Sequence, residues 1–117
     1  VNPRRGSLVW VDLGQGSGSE QQKRRPAIVV SNDGANSSAW KNARGVITIV
    51  PVTSSSRKPY PFQVALSAHE ANLPHDSIVQ AEQVRSVDVS RIQLTDTHLD
   101  SSLMKSVDDA LKLHLEL

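Results

Sequence analysis

The sequence predicts a mainly β (α+β) fold, a small SH3-like barrel of short antiparallel strands with a C-terminal amphipathic helix. Three observations carry that expectation. Short runs rich in Val and Ile recur through the first four-fifths of the chain, each bounded by Gly, Pro or Ser. Unbroken helical periodicity is confined to the residues after Ser101. A parallel sheet needs helical crossovers, and there is room for at most one. At 117 residues, the whole span 1–117 is expected to form one domain, because a second core would leave both halves too small to stabilise themselves.

The first strand is expected from Ser7 to Leu13, Val-rich and carrying Trp10. Gly14 to Lys23, with Gly14, Gly16 and Gly18 among Ser and Gln, reads as a loop. Arg25-Pro26-Ala27-Ile28-Val29-Val30 is a continuous apolar run, the pattern of a strand buried on both faces. Pro26 has no N–H for a ladder and is expected at that strand's start or on an edge. Asp33 to Arg44, small and polar around Trp40, has room for one short helical turn ended by Gly45. Val46 to Val50 is the next strand, and Pro51 implies an edge or a bulge. Thr53 to Pro61 is a second polar, basic loop. Phe62, Val64 and Leu66 alternate with Gln63 and Ala65 as in a half-buried strand, which puts Phe62, like Trp10, in the core. Ser77 to Val87 reads as one bent strand and Arg91-Ile92-Gln93-Leu94 as the last. Beyond it, Leu103, Val107, Leu111 and Leu115 recur every four residues with Met104 beside them, and Asp100 is placed to cap the helix.

Composition narrows the function. Cysteine is absent, which removes disulfides, thiolate nucleophiles and cysteine-bound metals. No run approaches the roughly 18 apolar residues of a membrane span, and no apolar signal core follows Val1 to Arg5. A soluble cytoplasmic protein with no membrane partner is expected. Net charge is only +1, but residues 1–60 hold nine basic against three acidic residues, and residues 61–117 hold four against nine. Either the basic half forms one face, suited to a polyanion, or the halves interleave in space and cancel.

Several chemistries lack their residues. No Gly-rich loop ends in Lys-Ser/Thr, and Gly14-Gln15-Gly16-Ser17-Gly18 leads into a strand, so no helix N-terminus awaits a pyrophosphate. His69, His75, His98 and His114 have no zinc-binding spacing and read as solvated surface residues, so no metal or other cofactor is expected. What remains is two loops with Arg, Gln and hydroxyls, Gly18 to Pro26 and Pro51 to Lys58. Guanidinium forks match phosphate oxygens, and hydroxyls and amides suit bases and sugars. The same composition also describes ordinary solvated loops. Arg25, fixed before a proline and a buried run, is a better phosphate clamp than an Arg at a loop tip. RNA cleavage suits this inventory, since the 2′-hydroxyl nucleophile arrives with the substrate. The protein then needs to supply in-line placement and charge stabilisation. Arg keeps its proton, so acid–base work falls elsewhere. Glu20 is a candidate base, or the partner of Lys23 or Arg24 in a salt bridge.

Arg5-Gly6-Ser7-Leu8-Val9-Trp10-Val11-Asp12-Leu13 resembles the first strand of the MazF/PemK (Kid) toxins. Gly18-Ser19-Glu20-Gln21, Arg25-Pro26-Ala27-Ile28-Val29-Val30-Ser31-Asn32-Asp33 and Val50-Pro51-Val52-Thr53-Ser54 resemble their active-site segments. Leu73-Pro74-His75-Asp76-Ser77, Glu82-Gln83-Val84-Arg85 and Asp88-Val89-Ser90-Arg91-Ile92 resemble the later half, in the expected order. The resemblance implies a homodimeric bacterial mRNA interferase that cuts single-stranded RNA without metal, leaving 2′,3′-cyclic phosphate and 5′-hydroxyl ends. It implies a cognate antitoxin whose extended tail fills the RNA groove. By position it makes Arg25 catalytic with Thr53 as hydroxyl partner. Ser19, Glu20, Gln21, Ser54, Ser55 and Gln83 then contact RNA. Lys41 to Gly45 and Ser54 to Pro59 depart from the family pattern, so no cut sequence is implied. Two other readings stay open: a non-catalytic, CcdB-like inhibitor of DNA gyrase, which shares the fold and acts through its C-terminal tail, and a plain nucleic-acid-binding module.

Overall fold

In the computed structural model, residues 1–15 and 22–117 are described. β1 (Ser7–Gln15) lies between β2 (Gln22–Val29) and β7 (Ile92–His98), antiparallel to both. β3 (Val46–Ser54) is the pivot of the sheet. On one side it pairs with β2 from Ile49 to Pro51. On its other side, Val46 to Ile49 pair with β6 (Arg85–Asp88) and Val52 to Ser54 pair with β5 (Ser77–Gln80). β4 (Gln63–Leu66) adds outside β5, giving the order β4-β5-β3-β2-β1-β7 with β6 against β3. The architecture is the mainly β, C-terminally helical one expected from the sequence.

Because side chains alternate across a strand, three central strands feed two cores. Leu8, Ile28, Val50 and Val52 enter one cluster with Leu66, Val79, Leu99, Met104 and Val107. Val9, Val11, Ala27, Val29, Ile47 and Ile49 enter the other with Ala39, Val87, Val89 and Ile92. α3 (Ser101–Leu115), capped by Asp100 onto the Leu103 amide, supplies Met104 and Val107 to the first. α1 (Asp33–Asn42) supplies Ala39 and the flank of Trp40 to the second.

Several expectations need correction. The single turn foreseen before Gly45 is a ten-residue helix, because Asn32 caps it and Ala43 closes it in the left-handed region. Its buried Asn36 donates to the Ser31 carbonyl at 2.8 Å, a polar anchor that periodicity does not show. Pro26 lies inside β2 opposite Trp10, yet pairing with β3 begins only at Ala27, so the chain there has a local edge. Pro51 is buried and paired with Ala27, and with Val50 it spans the gap where β3 changes partner from β6 to β5. Ser77 to Val87 is two strands broken by one 3-10 turn at Ala81–Gln83. A four-residue helix, α2 (Ala68–Ala71), carries a capping box from Ser67 and Glu70 that the sequence reading passed over. Leu115, counted in the helical stripe, is 48% exposed. A four-residue step turns about 400°, so the stripe drifts about 40° at each repeat and leaves the core by its last member.

Candidate functional site

Following each strand two residues past the second core leads to one hollow. Val11 is followed by Leu13 on β1, Ile49 by Pro51 on β3; Ala27 is preceded by Arg25 on β2, and Val87 by Arg85 on β6. These four residues, with Gln80 and Gln83, line a cavity of about 290 Å³. The backbone carrying Arg25 is fixed by pairing to Val11. Gln80 ends β5 and Gln83 ends the 3-10 turn that leads to β6. Among the described residues, no acidic side chain lines the hollow. Among the described residues, neither Arg25 nor Arg85 is held in an ion pair or side-chain hydrogen bond. Two guanidinium groups and two amides therefore face one solvent-open space, an arrangement able to take phosphate oxygens and base or sugar polar groups.

Of the residues expected at the site, Arg25 and Gln83 meet in this hollow. Thr53 is half-buried two residues beyond Pro51 on β3 and pairs with Ile78. Continuing the β2–β3 register would set it opposite Arg25, but that pairing ends at Ala27–Pro51, and Thr53 does not line the hollow. Ser54 and Ser55 open instead onto a neighbouring polar depression with Ser56, His75 and Asp76. Ser19, Glu20 and Gln21 lie outside the described residues. Arg85 and Gln80 were missed by sequence reasoning. Arg85 belongs to the acidic half of the sequence, and its two-residue spacing from Gln83 was the available signal.

A buried polar chain supports both sides. Gln63, only 8% exposed, accepts from Arg57 Nη2 at 3.0 Å and from the Tyr60 N–H at 3.3 Å. Its amide donates to Glu82 Oε2 at 2.8 Å. Glu82 Oε1 is buried with no hydrogen-bond partner among the described residues. This chain ties the loop after Ser54 to the turn that carries Gln83. The expected core position of Phe62 is corrected here. Its ring stacks on Tyr60 with centroids 5.6 Å apart, and Gln63 takes the inward place.

Trp10 is likewise half-exposed rather than core. The Arg24 guanidinium lies 4.7 Å from its ring centroid and also donates to Gln93. Trp10 also joins Pro26, Val52, Leu73 and Pro74 around a small apolar pocket. His98 is more than a solvated residue: its Nδ1 lies 2.8 Å from the Leu99 carbonyl and its Nε2 2.8 Å from that of Arg5. Away from the hollow, hydrogen bonds from the Ser90 side chain and N–H hold the Asp88 carboxyl below its ordinary value. Among the described residues no three His, Asp or Glu side chains are grouped as a metal site requires. No described helix is long and apolar enough to cross a membrane.

Comparison with known proteins places this geometry. Residues 4–115 match the family described as PemK-like, MazF-like toxin of type II toxin-antitoxin system. Endoribonuclease MazF9 of Mycobacterium tuberculosis is 49% identical over 114 residues, covering 97% of either chain. Endoribonuclease EndoA of Bacillus subtilis is 32% identical over 115 residues, 97% of this chain and 95% of its own. A MazE–MazF crystal structure from Deinococcus radiodurans superposes with a TM-score of 0.73 at 34% identity, covering 98% of this chain and 96% of that one. With the match running nearly end to end, the chain belongs to the PemK-like, MazF-like toxins of type II toxin–antitoxin systems.

Proposed function

We propose that this chain, acting as a single domain over residues 1–117, is a sequence-specific endoribonuclease toxin of single-stranded RNA that needs no metal. The observation that carries the proposal is Arg25, half-buried on a paired strand and facing, with Gln83 and Arg85, a hollow that no described acidic side chain lines. The names of its relatives, endoribonucleases MazF9 and EndoA, point the same way. In the reaction the substrate's 2′-oxygen bonds to the adjacent phosphorus and the bond from phosphorus to the 5′-oxygen breaks. The products are a 2′,3′-cyclic phosphate and a 5′-hydroxyl, with one net proton passing from the 2′-hydroxyl to the 5′-oxygen. Arg25 stabilises the negative charge that builds on the non-bridging oxygens, a role that suits a group unable to give up its proton. Thr53, which stands beyond Pro51 outside the lining of the hollow, is assigned as the hydroxyl donor to that phosphate by the resemblance to the family, and Gln83, Ser54 and Ser55 contact flanking nucleotides. Ser19, Glu20 and Gln21 complete the groove.

The working form is a homodimer in the bacterial cytoplasm, opposed by an antitoxin whose extended tail occupies the groove. The test is incubation of the protein with a long single-stranded RNA in excess EDTA, with fragment ends mapped. Discrete cuts with cyclic-phosphate ends are expected. Arg25→Ala is expected to lower kcat at least about 100-fold, the usual effect of removing a transition-state donor, with an unchanged melting curve. Cutting that survives Arg25→Ala rejects the assigned site, and loss of all cutting in EDTA rejects the metal-free reaction.

A further inference from the structure

We propose that Arg85 is a second phosphate-binding residue of the hollow, holding the RNA backbone in the ground state rather than acting on the breaking bond. The proposal rests on the ribonuclease reading above, which assigns Arg85 nothing. Its grounds are the placement and surroundings of the side chain. Arg85 stands on β6 opposite Ile49, two residues before the buried Val87 on the face that also carries Arg25. The two arginines come from strands on opposite sides of β3 and reach the same cavity around Pro51. The two like charges repel one another across a hollow that no described carboxylate lines, and a bound polyanion relieves that repulsion.

Exposure separates the two roles. Arg25 is half-buried, its backbone held by pairing with Val11 on β1, and suits the fixed geometry of a transition state. Arg85 is exposed at the first residue of a four-residue strand, with no described side chain holding its guanidinium. An exposed cation of that kind attracts a phosphate by charge and counterion release and contributes equally before and during the reaction. Its loss therefore falls on binding.

The experiment compares wild type, Arg85→Ala and Arg85→Lys, with Lys105→Ala on α3 as a charge-matched control. Affinity for a labelled, mixed-sequence single-stranded 2′-O-methyl RNA, which has no free 2′-hydroxyl to attack, is measured across a salt series. Arg85→Ala is expected to weaken binding about tenfold and to flatten the slope of log affinity against log salt by about 0.7, the value of one phosphate on a single strand. Arg85→Lys restores the slope and Lys105→Ala leaves it alone. On a cuttable RNA, Arg85→Ala raises KM with kcat within about threefold of wild type.

An unchanged slope overturns the proposal, as does an equal loss in Lys105→Ala, which reduces the effect to net charge. A fall in kcat at unchanged KM assigns Arg85 to the breaking bond instead. Weaker binding of an acidic antitoxin peptide with the RNA slope intact gives the residue to the protein partner. A wild type that binds the 2′-O-methyl RNA but cuts none of the cuttable RNA sinks the nuclease reading while the slope still reports on Arg85. A wild type that does not bind overturns both.

Discussion

Gly6 shows how much one residue constrains the entry to β1. It has φ +97°, and a Cβ there would meet His98 Cε1 at 2.9 Å and Met104 Cγ at 3.2 Å. Its N–H donates to Val29 and its carbonyl accepts from Leu99, so it joins the start of β1 to the end of β2 and the approach to α3. Gly6→Ala is expected to cost about 1–3 kcal/mol through backbone strain and contact, read as a lower urea midpoint. An unmoved midpoint would show that the β1 entry adapts without cost. Legibility at this scale was uneven. Arg25 could be picked out because a proline and an apolar run fix its backbone, whereas Arg85 looked like one basic residue in an acidic half. Trp10 and Phe62 were misplaced because alternation reports which residues share a face, not whether that face is covered at the strand's end.

At the scale of elements, the polar chain Arg57–Gln63–Glu82 does what apolar contacts do elsewhere. It crosses from the loop after β3, through β4, to the 3-10 turn before β6. Replacing Gln63 with Met keeps similar volume but strips Glu82 Oε2, Arg57 and the Tyr60 N–H of their partner. Since Glu82 Oε1 already lacks one, the cost is expected to be about 1–3 kcal/mol. The Tyr60 amide is expected to exchange hydrogen faster while core amides such as those of Val50 and Ile28 keep their order of protection. Unchanged exchange at Tyr60 would mean that the loop is held by the Tyr60–Phe62 stack alone. The sequence could not reveal this chain, because Gln63 occupied the outward place of an alternation that Phe62 was expected to complete inward. Strands and the C-terminal helix were readable from period alone, and their ends were not: α1 and α2 depend on caps at Asn32 and Ser67, which act through one or two local side-chain hydrogen bonds.

For the whole molecule, the sheet separates stability from chemistry. The first core receives α3 on one face, and the hollow grows from the rim of the second core on the other. The uneven charge of the two sequence halves did not become two faces, because β6 and β7 from the later half pair with β3 and β1 from the earlier. This division predicts a graded response along α3. Val107 is fully buried, and Val107→Asp places a carboxylate in the first core with no partner, a cost of several kcal/mol against the 5–15 kcal/mol that hold a domain. That variant is expected to be unfolded or aggregated. Leu111 is half-buried at the same core's margin, so an Asp there can turn toward solvent, and the loss is nearer the apolar transfer of part of a leucine, about 1–2 kcal/mol. Leu111→Asp should therefore fold, melt several degrees lower by circular dichroism, and retain wild-type KM for RNA well below its melting temperature. An unchanged Tm would remove Leu111 from the packing. A raised KM in the folded variant would show that the two faces are coupled, through the helix or through a dimer contact that the helix supports.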